Sequence, residues 1–210
     1  YDFDHASFYV KEQPIETDAS WKRTENRSGT LRIGYAGRIV RQAKRADLLV
    51  GLLDLLDKNR LKYVLQIAGE GECLELIAQY IVKNKLQDRV LTLGRLPKSR
   101  MDSFWKNQDV FVNVSEYEGT SLSMLEAMGY GCVPVVTDVS GAREFIGDKK
   151  NGYICDVGDI KGIADCITEL AKNRELLKTY GDRCRRIVQE RCNPVKYIKY
   201  WIEEVLGDWL

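Results

Sequence analysis

Histidine is almost missing from this 210-residue chain, in which His5 is the only one. A serine or cysteine nucleophile ordinarily needs an imidazole beside it, and His5 stands in a polar opening segment, so hydrolase triads are disfavoured. Six cysteines (Cys73, Cys132, Cys155, Cys166, Cys184 and Cys192) form no CxxC pair and no Cys/His cluster. Neither a zinc site nor a disulfide scaffold is indicated. No run of about 18 apolar residues occurs, and the opening YDFDHASFYV lacks the basic-then-apolar order of a signal peptide. The expectation is a cytoplasmic protein with reduced thiols. Net charge is also nearly absent: 32 basic and 31 acidic residues leave +1. That argues against a coat for polyanions and against nucleic acid as a partner, leaving room only for a local basic patch. Internal repeats and low-complexity tracts are lacking as well.

What is present is an alternating pattern. At 44% hydrophobic the chain can bury a full core. Residues 1–30, ending in TDASWKRTENRSGT, are polar and without period, and read as a linker or partly ordered arm. LRIGYAG then reads as a strand, ADLLVGLLDLLDK as a helix and KYVLQIAG as a second strand. The alternation continues through ECLELIAQYIVKN, RVLTLG, SRMDSFWKNQ, DVFVNVS, a helix from about Ser121 to Tyr130, and CVPVVT. Strands this apolar on both faces belong inside a parallel sheet. A short strand GYICD precedes three helical patterns separated by Asn173 and by Asn193-Pro194. Residues 31–210 are therefore expected to form an α/β, Rossmann-like, doubly wound parallel sheet with C-terminal helices, binding ligands beyond the carboxyl ends of its strands.

Three strand ends carry unusual residues. GRIVRQAKRAD follows the first, with Gly37 closing the strand and Arg38, Arg41, Lys44 and Arg45 crowding one loop. An Arg fork and a mobile Lys suit a diphosphate, although a solvated basic loop has the same composition. AGEGE follows the second, where Gly69 and Gly71 permit either close approach to a ligand or an ordinary turn. Neither has the full GxGxxG and downstream acid of a dinucleotide site, which disfavours an NAD enzyme. After the fourth strand, Thr120 or Ser121 can cap a helix whose free N–H groups would face an anion. Glu118 lies before that cap and Glu126 more than a turn inside it, so the two carboxylates can grip different parts of one ligand. Carboxylates accept bonds from paired hydroxyls, which points to a ligand with an anionic middle and hydroxyl-rich ends.

The stretch EGTSLSMLEAMGYGCVPVVT, from Glu118 to Thr137, closely resembles the Glu-x7-Glu signature of retaining GT-B glycosyltransferases of the group 1 type, the mannosyltransferase and glycogen synthase-like family. GRIVRQAKRADLLV is similar to that family's GR…K loop, LQIAGEGE to its second-strand turn, RVLTLGRLP to its base-binding strand end, and NGYICDVGDIKGIADCI to its closing strand and helix. These blocks run in the family's order from about Leu31 to the C-terminus. The resemblance implies the C-terminal half of a GT-B fold that binds a UDP- or GDP-sugar and serves retaining hexosyl transfer. It implies that Arg38 and Lys44 hold the diphosphate and that the backbone of Gly119, Thr120, Ser121 and Leu122 caps its other side. Glu126 would bind the ribose, Glu118 the transferred sugar, and Arg95 and Leu96 the base, with Gly37 and Gly69 in the loops beside them. No cofactor and no metal is expected, because the two cations and the helix N-terminus can neutralise the leaving diphosphate. Glu118 is not expected to act as a covalent nucleophile.

Departures from the family pattern are equally specific. The family's N-terminal domain, which holds the acceptor and usually a catalytic His, has no counterpart in this sequence, so the chain alone is expected to be inactive. A glycan, lipid-linked or small-molecule acceptor, and any peripheral association with the cytoplasmic face of a membrane, would come through that half. The GR…K loop is one residue longer than usual, which leaves Lys44 and Arg45 competing for one role. Gly129 stands where Ala is common. Two further readings are a stand-alone nucleotide-sugar-binding module and a sugar-nucleotide epimerase of similar fold.

Overall fold

The computed structural model describes residues 12–18, 20, 21 and 29–206. His5 lies outside the described residues. Six parallel strands form one sheet: β1 (Leu31–Ala36), β2 (Tyr63–Ala68), β3 (Val90–Gly94), β4 (Val110–Asn113), β5 (Val133–Thr137) and β6 (Tyr153–Cys155). Their order, β3-β2-β1-β4-β5-β6, reverses between β1 and β4, the switch point where a doubly wound sheet opens a crevice.

Among the described residues, eight α-helices cover or extend it: α1 (Leu48–Lys58), α2 (Leu74–Lys83), α3 (Lys98–Lys106), α4 (Leu122–Gly129), α5 (Ala142–Phe145), α6 (Ile160–Lys172), α7 (Arg174–Arg191) and α8 (Pro194–Tyr200). On one face Leu49, Leu52 and Leu53 of α1, Ile77 of α2 and Ile163 and Ile167 of α6 pack on Ile33, Leu65 and Val112. On the other, Trp105 of α3, Leu125 and Met128 of α4 and Val188 of α7 pack around Phe111 and Val136. Burial of this kind is worth about 1.5–3 kcal/mol for each large apolar side chain, which is what holds the helices to the sheet.

Two expectations are corrected. β3 is an edge strand, and Leu91 and Leu93 are 36% and 38% exposed, so its apolar composition does not reflect burial on both faces. The last helical pattern changes winding at Trp201, where Trp201–Leu206 form a π-helix. None of the α8 residues is fully buried.

The described part of the opening segment docks on the body. Ile15 is buried and donates its N–H to the Cys192 carbonyl at 2.8 Å, and Trp21 meets Tyr130 edge to face. Gly129 accounts for part of this contact, since a Cβ there would come within 2.4 Å of the Thr17 methyl. Among the described residues, no helix is long and apolar enough to cross a membrane.

Candidate functional site

The loop between β1 and α1 is folded back by its own backbone. Ala43 and Arg45 both adopt left-handed conformations, at φ +63° and +46°. The Ala43 carbonyl accepts N–H bonds from Glu116 (2.9 Å) and Tyr117 (3.1 Å), which ties the basic loop to the loop after β4. Consecutive side chains then part company. Lys44 turns inward and its Nζ reaches Glu118 Oε1 at 2.5 Å, whereas Arg45 turns to the more exposed Glu116 at 3.1 Å. The extra residue of the loop therefore leaves Lys44, not Arg45, facing the strand ends. Arg41 stays 70% exposed, 3.9 Å from Asp47.

Glu118 is gripped from several sides. Its second oxygen accepts from Asn113 Nδ2 at 2.6 Å and Ser115 Oγ at 3.2 Å. Ser115 N donates in turn to Asn113 Oδ1 at 2.7 Å, and Thr137 Oγ1 donates to the Ser115 carbonyl at 2.6 Å. Sequence reasoning missed Asn113, Ser115 and Thr137. Their one signal is that a polar residue interrupts or ends an otherwise apolar strand, and buried polar groups need partners.

Ser121, not Thr120, caps α4, its Oγ accepting from Met124 N at 3.4 Å. The N–H groups of Leu122 and Ser123 donate to nothing among the described residues, so this helix start presents free donors. Gly141 supports the loop from behind: at φ +80°, its Cβ would press within 3.0 Å of the Thr120 backbone. Gly119 is different, because a Cβ there would meet nothing within 4 Å.

Gly37, Arg38, Gly69, Glu70, Arg95, Leu96, Met101 and Ser123 line a cleft of about 400 Å³ at the carboxyl ends of β1, β2 and β3. Arg38 and Arg95 have no acidic partner among the described residues. The Gly69 expectation is refined, because its Cβ would lie 1.8 Å from the Gly37 carbonyl oxygen. The close approach that this glycine permits is to the neighbouring loop, which brings the two loops together as one wall. Another hollow, of about 470 Å³, lies between Arg32, Val64 and Gln66 of the sheet and Ser103 and Phe104 of α3, and shares Leu96 with the first.

Glu126 stands one turn beyond Ser123 and accepts from Trp105 Nε1 at 3.4 Å. Burial pushes its carboxyl above the usual glutamate range, while Trp105 and the nearby Lys98 pull it back. Thr120 and Leu122 line a separate cleft of about 790 Å³ together with Glu144, Phe145 and Arg191. Most candidate residues thus divide among two clefts and one part-buried ion pair, while Gly119, Ser121 and Glu126 line neither cleft. Among the described residues, no group of three or more His, Cys, Asp or Glu side chains is placed to hold a metal.

Comparison with known proteins agrees with this fold. A family model described as glycosyl transferases group 1 matches residues 17–187. The chain is 33% identical over 181 residues to poly(ribitol-phosphate) alpha-N-acetylglucosaminyltransferase of Staphylococcus aureus, covering 85% of this chain and 34% of that protein. It is 26% identical over 201 residues to N-acetyl-alpha-D-glucosaminyl L-malate synthase of Bacillus anthracis, covering 96% of this chain and 51% of that protein. Among solved structures, a S. aureus TarM variant in complex with fondaparinux, alpha-GlcNAc-glycerol and UDP superposes with a TM-score of 0.81 at 27% identity, over 95% of this chain and 40% of that one. The chain thus spans about a third to a half of the length of these relatives. With its Rossmann-like sheet and its family match over most of its length, this chain belongs to the GT-B glycosyl transferases of group 1.

Proposed function

We propose that this chain is the donor-binding part of a retaining hexosyltransferase, taking a nucleotide diphosphate sugar at the carboxyl edge of β1 and β4 without a metal ion. The single observation that carries the reading is two unpaired guanidinium groups, Arg38 and Arg95, on the cleft that Ser123, with its free N–H group at the start of α4, also borders. Cations and helix N–H groups converging on one cleft favour a diphosphate. Arg38 and Lys44 hold it, the backbone from Gly119 to Leu122 caps it, Glu126 accepts from the ribose, and Arg95 and Leu96 frame the base.

Glu118 contacts the transferred sugar as an acceptor of hydrogen bonds. Its carboxylate already receives Lys44, Asn113 and Ser115, which favours a fixed polar contact over attack on the anomeric carbon. Lys44 then bridges Glu118 and the phosphate. As the glycosidic bond breaks, the leaving diphosphate gains charge, and Arg38, Lys44 and the α4 N-terminus stabilise it electrostatically while it helps deprotonate the attacking hydroxyl on the same face.

UDP is the preferred carrier, since UDP is the nucleotide in the TarM complex. The acceptor we carry over is a hydroxyl on a polyol-phosphate polymer, the chemistry in the names of two relatives, the poly(ribitol-phosphate) enzyme above and poly(glycerol-phosphate) alpha-glucosyltransferase of Bacillus subtilis. Calorimetric titration of UDP and of GDP into this chain, with and without EDTA, tests the reading. UDP should bind equally well in both buffers and more tightly than GDP. Loss of binding on chelation would contradict the metal-independent charge balance.

A further inference from the structure

A third cleft, of about 400 Å³, lies on the far side of the donor loop. Arg143, Lys150, Arg183, Arg186 and Arg191 line it, against Glu144 as its one acidic lining residue. Five cations around one hollow contrast with a whole-chain net charge of +1. Arg143 is matched by Asp138 and Arg191 by Glu12, whereas Lys150, Arg183 and Arg186 have no acidic partner among the described residues.

The positions of these cations are built into the fold. Arg183, Arg186 and Arg191 recur at the spacing that puts them along one side of α7. The loop that carries Lys150 is fastened to the same helix by Tyr180 Oη donating to the Lys149 carbonyl (2.5 Å), Arg183 Nη1 to the Lys150 carbonyl (2.7 Å) and Cys184 Sγ to the Asn151 carbonyl (2.9 Å). Arg183, held this way, loses less freedom on meeting an anion than a solvated surface lysine does. Arg191 also lies over the Phe145 ring at 4.3 Å, and Glu144, Phe145 and Arg191 form a wall shared with the cleft that holds Thr120 and Leu122.

We propose that this cationic cleft binds phosphodiester groups of a linear polyol-phosphate acceptor, whose chain runs past Arg191 to the loop that faces the transferred sugar. Planar guanidinium forks match phosphate oxygens in pairs, and adjoining clefts with one shared wall fit a polymer better than a single ion. The inference rests on the glycosyltransferase reading above and adds to it a site for the acceptor's charge.

The test is fluorescence anisotropy of a labelled glycerol-phosphate octamer titrated with the whole chain at several salt concentrations, with UDP affinity measured on the same samples. The octamer should bind, and its affinity should fall as salt rises. Arg186→Glu, whose side chain supports no other part of the fold, should weaken it about tenfold, and Lys150→Ala about threefold or more, each removing a charge-assisted contact. Lys62→Glu, a reversal at the amino end of β2, should leave it unchanged. Octamer binding that is absent, or indifferent to Arg186→Glu and Lys150→Ala, would overturn the proposal. Equal binding of an oligonucleotide of the same charge, or competition by inorganic phosphate alone at similar concentration, would overturn the polymer specificity. UDP binding lost while octamer binding survives would instead count against the donor reading and leave the cleft standing.

Discussion

Lys44 and Glu118 are the residues whose roles the structure changes most. Each was expected to reach a different part of a ligand, yet they meet in an ion pair with side chains 18% and 13% exposed. Breaking a mostly buried, hydrogen-bonded pair from either side costs on the order of 2–3 kcal/mol, so Lys44→Ala and Glu118→Ala should lower the melting temperature by similar amounts, roughly 4–10 °C. They should differ in binding: Lys44→Ala weakens UDP, while Glu118→Ala spares or improves it by freeing the ammonium for phosphate. Thermal melting beside UDP titration of both variants checks this, and equal losses of UDP affinity would show that the pair acts only as a structural brace.

Glu126 gives a pH prediction. Its folded-state pKa is raised, chiefly by burial, so folding favours the protonated form. The resulting stability is fully present below the ordinary glutamate range and is lost as pH rises through the raised value. At neutral pH the buried carboxylate is a cost, and Glu126→Gln should melt higher than the parent, by a margin that shrinks on acidification. Ribose hydroxyls favour the charged form, so the affinity ratio of parent to Glu126→Gln for UDP should fall as pH drops through the same window. A ratio that stays flat across it would remove Glu126 from the ribose.

At the scale of elements, two glycines in neighbouring loops make opposite predictions. Gly69→Ala would set a methyl against the Gly37 backbone, and should destabilise the fold by on the order of 2–4 kcal/mol and take UDP binding with it. Gly119→Ala meets open space, so it should leave the melting temperature alone and weaken a UDP-sugar more than UDP. Unchanged affinity for the sugar nucleotide in a folded Gly119→Ala protein would argue that no ligand approaches this loop.

The same elements show where sequence is informative. Apart from the short α5, which no pattern of side chains marked, the strands and helices from Leu31 to Lys172 announce themselves because apolar periodicity is local, and the α4 start is legible from Thr120 or Ser121 and the glutamates that flank it. The Glu118 network is not, since Lys44 comes from the β1–α1 loop, which the β1/β4 pairing sets beside the segment that carries Asn113, Ser115 and Glu118. The choice between Lys44 and Arg45 turns on two left-handed residues that no pattern of side chains reveals. β3 was misjudged because composition reports what a strand could bury, whereas position in the sheet decides what it does bury.

On the scale of the whole molecule, the fold gathers charge that the sequence spreads. A chain of net charge +1 presents Arg38, Arg95 and Lys44 around one switch point and a second cationic cleft beside α7. The parallel sheet accounts for the first grouping, because all its strands point their carboxyl ends, and the loops that follow them, to the same edge. The central claim is that this edge binds the diphosphate of a nucleotide sugar. The most direct test compares UDP with uridine, at fixed ionic strength, in the parent chain and in Arg38→Ala. The account predicts that Arg38→Ala weakens UDP about tenfold, the worth of one charge-assisted contact, and leaves uridine unchanged. Losses that are equal for UDP and uridine, or absent for both, would contradict it.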